Sequence, residues 1–229
     1  MNSRLAKQVV AEALGTALLL AAVVGSGIMG ERLANGNVAL ALLANTIATG
    51  AALVALILTF DSISGAHFNP AVTLAIAFQS GIPWPAVPFY LAAQIAGALL
   101  GVAGAHLMFG LPAFFASHHA RAGGTQIFSE FVATFGLLSV VLGTGRRTPF
   151  APFAVAAYIT SAYWFTASTS FANPAVTLAR SLSDTFTGIR PLDVPGFIGA
   201  QLLGAAVAVL LFGWLSPPTP AKAAEPQIK

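Results

Sequence analysis

The string Asn-Pro-Ala-Val-Thr-Leu-Ala occurs twice, at Asn69–Ala75 and at Asn173–Ala179. An Asn followed by Pro is a helix-start signal. The Asn side chain caps the first free N–H groups, and proline in the first turn loses no intrahelical bond. Each copy opens only about ten apolar, helix-favouring residues, Ala71–Phe78 and Ala175–Leu182, whereas a bilayer crossing needs roughly 20. A half-length helix inside a membrane must be re-entrant. Its non-helical lead-in survives there only where protein or a water-filled cavity satisfies the backbone. Two such breaks at matching places in two halves are the signature of a transport site built at membrane depth from an internal repeat.

Composition agrees. Hydrophobic residues make up 57% of the 229 and charged residues only 7%, against roughly 25% charged in soluble domains. This is an integral membrane protein. It lacks cysteine, which removes disulfide and thiol chemistry. The net charge of +3 sits in loops and tails, so no nucleic-acid partner is needed to explain it. Met1–Gln8 is short and basic, and Val9–Gly30 reads as a retained first span rather than a signal peptide. Six segments qualify as spans, at about 9–30, 37–60, 84–109, 126–144, 150–168 and 194–215. The two Asn-Pro-Ala breaks fall after the second and the fifth.

The repeat reaches further than the heptapeptides. Glu12-Ala-Leu-Gly-Thr16 matches Glu130-Phe-Val-Ala-Thr134, and Ala93-Gln94-Ile-Ala-Gly97-Ala98 matches Ala200-Gln201-Leu-Leu-Gly204-Ala205. Three spans per half is an odd number, so the second half runs opposite to the first. The chain reads as one domain over 1–229, with inverted repeats at about 9–109 and 126–215 and a disordered tail at 216–229. With both termini cytoplasmic, Arg4, Lys7, Arg146, Arg147, Lys222 and Lys229 lie inside and Arg32, Arg121, Arg180 and Arg190 outside. That excess, with Arg146-Arg147 in a short loop, orients the chain in the cell's inner membrane. Gly97-x-x-x-Gly101 is the spacing of closely packed helices.

These features, with Ser64-Gly-Ala-His-Phe-Asn-Pro-Ala-Val-Thr73 nearly identical to the family's first signature, resemble the aquaporin (major intrinsic protein) family. The resemblance spans about Glu12 to Gly204. It implies an all-α membrane protein with six transmembrane helices and two re-entrant half-helices. It also implies a passive channel for small uncharged solutes in the lipid bilayer, a homotetramer, and no enzyme activity, cofactor or metal. Pro70-Ala71 and Pro174-Ala175 then start half-helices whose tips meet. Asn69 and Asn173 would offer N–H donors to a neutral solute, while two positive helix ends repel cations and protons. Glu12 and Glu130 are either proton carriers or, as the resemblance implies, acceptors for loop backbone N–H groups. Gln94 and Gln201 read as interhelical hydrogen-bonding residues. His67 either lines the inner approach or bonds a loop.

One position departs from the family. Most members carry an Arg directly after the second Asn-Pro-Ala; here it is Val176. Ungapped offsets give Thr49, Ser161 and Ser170 as the other residues of the outer constriction. That ring holds no charge and no aromatic group, which predicts a wide opening. In this the chain resembles the bacterial aquaglyceroporins associated with arsenic resistance, which implies water, glycerol and neutral hydroxides such as arsenite or methylated arsenicals as solutes. Arg180, four residues past Val176, either stands in for the missing Arg at the mouth or pairs with Asp184. The competing functions are a secondary transporter, which also uses broken helices, and a non-conducting membrane scaffold.

Overall fold

The structure is a computed structural model that describes residues 2–144 and 148–215. Arg146, Arg147, Lys222, Lys229 and the expected tail at 216–229 lie outside the described residues. Among the described residues eight α-helices follow in order: α1 Ser3–Leu33, α2 Val38–Ser64, α3 Pro70–Phe78, α4 Val87–Met108, α5 Gly124–Thr144, α6 Ala151–Phe165, α7 Pro174–Arg180 and α8 Val194–Leu215. No strand occurs among the described residues. Helices α1, α2, α4, α5 and α8 are long and apolar enough to cross a membrane. The segment expected at 150–168 forms a helix of only 15 residues, α6. It stops early because the chain turns extended at Thr166 to begin the second re-entrant lead-in.

Local chemistry sets the helix starts. The side chains of Asn2, Asn37, Asn69 and Asn173 each accept backbone N–H groups at the heads of α1, α2, α3 and α7. Helix α2 ends on Gly65 in the left-handed region, φ 88°, where a residue without Cβ carries no steric penalty.

The two halves pack alike. Helix α1 lies against α2 and α4, and α5 lies against α6 and α8. The half-helices cross over, since α3 touches α8 and α7 touches α4. Small residues allow this closeness. A Cβ on Gly97 would sit 2.2 Å from the Ala13 carbonyl oxygen, and one on Gly101 would sit 2.2 Å from that of Ala17. In the other half, a Cβ on Gly204 would come within 2.5 Å of the Phe131 carbonyl oxygen. Lipid tails give no hydrophobic drive for helix association, so backbone proximity and dispersion supply the adhesion.

Gly97→Ala must therefore push α1 and α4 apart, at a cost of about 1–3 kcal/mol. Gly104→Ala, on the same helix with nothing within 4 Å, is expected to be neutral or slightly stabilising. Denaturation midpoints of the two variants in detergent check this.

Candidate functional site

Two lead-in loops build the site, and each carries strained backbone. Ala66 and Phe68 in the first, and Thr169, Ser170 and Ala172 in the second, take positive φ between 45° and 60°. Non-glycine residues held there cost of order 1–3 kcal/mol each and persist only when their surroundings fix them. A buried carboxylate does the fixing in each half. Glu12 on α1 accepts the backbone N–H of His67 (2.9 Å) and of Phe68 (2.7 Å), the Ser64 hydroxyl (2.6 Å) and Gln94 Nε2 (2.8 Å). Glu130 on α5 accepts the N–H of Phe171 (2.9 Å) and of Ala172 (2.9 Å), and Gln201 Nε2 (2.6 Å). Each glutamine also donates to the half-helix threonine, Gln94 to Thr73 and Gln201 to Thr177, both at 2.8 Å. Charge-assisted bonds of this kind are about twice as strong as neutral ones. Gly15 makes room for the Phe68 ring, which would lie 2.0 Å from a Cβ at that position.

The loops then clasp each other. Asn69 Nδ2 donates to the Ala172 carbonyl (2.7 Å), and Asn173 Nδ2 donates to the Phe68 carbonyl (2.8 Å). Each Oδ1 accepts its own helix's N–H, from Ala71 (2.9 Å) and from Ala175 (3.0 Å). A primary amide has two N–H donors, so after the clasp each Asn keeps one. Both asparagines line a cavity of about 120 Å³.

That cavity runs past the joined tips from Asp61 and His67 at one end to Tyr163, Ser170, Val176 and Arg180 at the other. Four-residue stripes furnish its walls: Thr49, Leu53, Ile57 and Asp61 on α2, and Ala151, Val155, Ile159 and Tyr163 on α6. Leu19 and Val23 on α1 and Leu137 and Val141 on α5 close it. His67 both lines the cavity and bonds within its loop, with Nδ1 3.0 Å from Thr73 Oγ1.

The structure moves two residues from their sequence-derived places. Ser161 is exposed, bonds its own helix at Tyr158 O (2.7 Å) and is absent from the cavity wall. It lies two residues from both Ile159 and Tyr163, hence on the opposite face of α6. Tyr163 takes the lining position, its hydroxyl 3.3 Å from Thr49 Oγ1. Arg180 does not pair with Asp184, whose carboxylate instead receives the backbone N–H and the ring of His118. Those bonds hold the Asp184 carboxyl below its usual range. Arg180 turns inward, 2% exposed, with its Nε donating to the Thr187 carbonyl and its guanidinium 3.4 Å from the Phe171 ring centre. Arg121 joins it from the loop before α5, over the same ring at 4.9 Å. Burial pushes Arg121 down to about 10, so it stays charged at neutral pH. The spacing from Ala151 to Tyr163 was a signal available for the α6 register. Nothing in the sequence marked Arg121 as a neighbour of Arg180.

Crossed half-helices that meet tip to tip beside a lined cavity define a membrane protein of the six-helix, two-half-helix class. Residues 1–151 match the family described as Major intrinsic protein. The chain is 55% identical over 215 residues to the aquaglyceroporin AqpS of Rhizobium meliloti (strain 1021), covering 93% of this chain and 92% of that one. It is 36% identical over 145 residues to aquaporin NIP1-1 of Oryza sativa subsp. japonica, covering 60% of this chain and 48% of the relative. The X-ray structure of the aquaglyceroporin from Plasmodium falciparum has the same fold, with a TM-score of 0.65 over 92% of this chain and 95% of that one at 21% identity. The chain belongs to the major intrinsic protein family and is a multi-pass membrane protein.

Replacing Glu130 by Leu strands the N–H groups of Phe171 and Ala172, each at about 1–3 kcal/mol. Thermal unfolding in detergent should show Glu130→Leu destabilised by at least about 2 kcal/mol. The exposed Glu31→Gln should stay within about 0.5 kcal/mol of the native chain.

Proposed function

We propose that the chain is one channel domain that passes small uncharged solutes: water, glycerol, and neutral metalloid hydroxides such as As(OH)3 or methylated arsenicals. The observation that carries this reading is the cavity passing beside the clasped asparagines. Each keeps an N–H donor for a passing hydroxyl. The positive ends of α3 and α7 meet at the same point and disfavour cations and protons. A relative that shares 55% identity over nearly its whole length is named an aquaglyceroporin, which supports glycerol among the solutes.

The geometry favours a channel over a coupled carrier. A carrier needs an intramembrane carboxylate free to bind an ion or a proton. Glu12 and Glu130 are instead committed to loop N–H groups and to Gln94 and Gln201. Thr49, Tyr163, Ser170 and Val176 line the Arg180 end of the cavity, and Val176 supplies a short apolar side chain where most of the family carries an Arg. The functional unit is a homotetramer in the inner membrane with both termini cytoplasmic.

Proteoliposomes loaded with a panel of water, glycerol, urea and arsenite test this. The native chain should pass all four with a low activation enthalpy and without acidifying the lumen. In Val176→Arg, glycerol and arsenite permeability should fall relative to water by about tenfold, the scale of discrimination that one added group gives in a fitted site. Saturable flux at millimolar solute, or no flux at all, would defeat the channel reading.

A further inference from the structure

Two cations are buried at the Arg180 end of the cavity without a carboxylate partner. Arg180 is 2% exposed and Arg121 is 8% exposed. Among the described residues, the salt bridges are His118–Asp184 and Arg190–Asp193, and neither cation takes part. Arg121 donates to the carbonyls of Gly188 (2.7 Å) and Ser168 (3.1 Å). Arg180 spends only Nε, on Thr187. Its two Nη groups have no protein partner among the described residues, and the side chain lines the cavity. Glu130 faces these charges, but its oxygens are engaged by Phe171, Ala172 and Gln201. Removing a charge from water costs several kcal/mol, and buried charges are ordinarily paired.

A hydroxyl belongs to the same cavity. Ser170 is one of its lining residues, and its buried Oγ has no hydrogen-bond partner. A guanidinium edge with free N–H groups and an O–H donor on the same cavity wall form the complement of an oxyanion. A neutral polyol could accept the same bonds but would leave two cations facing the single carboxylate of Glu130.

We propose that this end of the cavity is a docking site for a small singly charged oxyanion, a carboxylate or sulfonate, held by Arg180 and Ser170 with Arg121 contributing charge. The anion docks without crossing. Past the two asparagines the walls are Val72, Ile76, Leu137 and Val141, and the far mouth carries the carboxylate of Asp61. That half of the path offers a stripped anion no arginine or lysine, and Asp61 repels it. Docked, it occupies the path of neutral solutes, so it acts as a reversible plug. That consequence rests on the channel reading; the binding site does not.

Two measurements separate the claims. In the first, thermal unfolding of the detergent-solubilised full chain is followed with added sodium formate or sodium methanesulfonate. Sodium chloride at the same concentration, which lacks the oxyanion, is the matched control. Formate and methanesulfonate should raise the native midpoint above the chloride value. The rise should vanish in Arg180→Met, which keeps a long unbranched side chain but not the charge, and shrink in Ser170→Ala. In the second, glycerol permeability of proteoliposomes should fall about twofold when the anion reaches its dissociation constant, with the effect lost in Arg180→Met. Equal midpoint shifts in the native chain and Arg180→Met, or none in either, overturn the site whatever the flux. A shift without any glycerol flux leaves the site standing and defeats the channel reading alone. Glycerol flux that ignores the anion despite the shift overturns the plug.

Discussion

Two carboxylates hold the molecule's irregular backbone where a bilayer would otherwise forbid it. Glu12 and Glu130 each reach from a spanning helix to consecutive N–H groups of a lead-in loop. No water is at hand to satisfy those groups at membrane depth. The left-handed residues between Ala66 and Phe68 and between Thr169 and Ala172 stay in place because these bonds determine them. The half-helices can then start where they do, and the asparagines at their heads can face each other. Without the carboxylates, neither the clasp nor the cavity beside it has a frame.

The two halves share that frame and differ in what they present to the lumen. Gln94 and Gln201, Thr73 and Thr177, and the two glutamates repeat the same bonds. Their loops diverge at the ring before the clasp. His67 packs against Tyr90 in one half, while Phe171 packs against Phe197 in the other, both with ring centres 5.3 Å apart. The wall stripes diverge in the same way: α2 ends its stripe in Asp61, α6 ends its own in Tyr163. An inverted duplication thus gives mechanical symmetry along with two chemically different mouths, one carrying a carboxylate and the other a guanidinium on an aromatic face.

The architecture was legible because its signals are local and repeated. A seven-residue motif, an Asn-Pro start and a 20-residue apolar run each state a physical requirement without reference to the rest of the chain. The wall of α6 was less legible. Its helix is apolar nearly all round, so hydrophobic periodicity does not distinguish the lumen side from the lipid side, and a two-residue offset put Ser161 where Tyr163 stands. Arg180 was harder still. Spacing along one helix brought Asp184 within its reach, but a loop distant in sequence supplied His118 to that carboxylate and Arg121 to the same aromatic ring. Side-chain partners chosen across the fold cannot be read from spacing along it.

The reciprocal clasp also bears on how the protein is made. Asn69 needs the Ala172 carbonyl, and the Phe68 carbonyl needs Asn173, yet the ribosome delivers these groups about a hundred residues apart. When the first three long helices have left the translocon, α3 is a short helix whose tip has no mate. It must wait at the interface or in a hydrated defect until the second half arrives. The passage can therefore be sealed only after the second re-entrant loop has arrived, and until then neither half is a finished membrane domain.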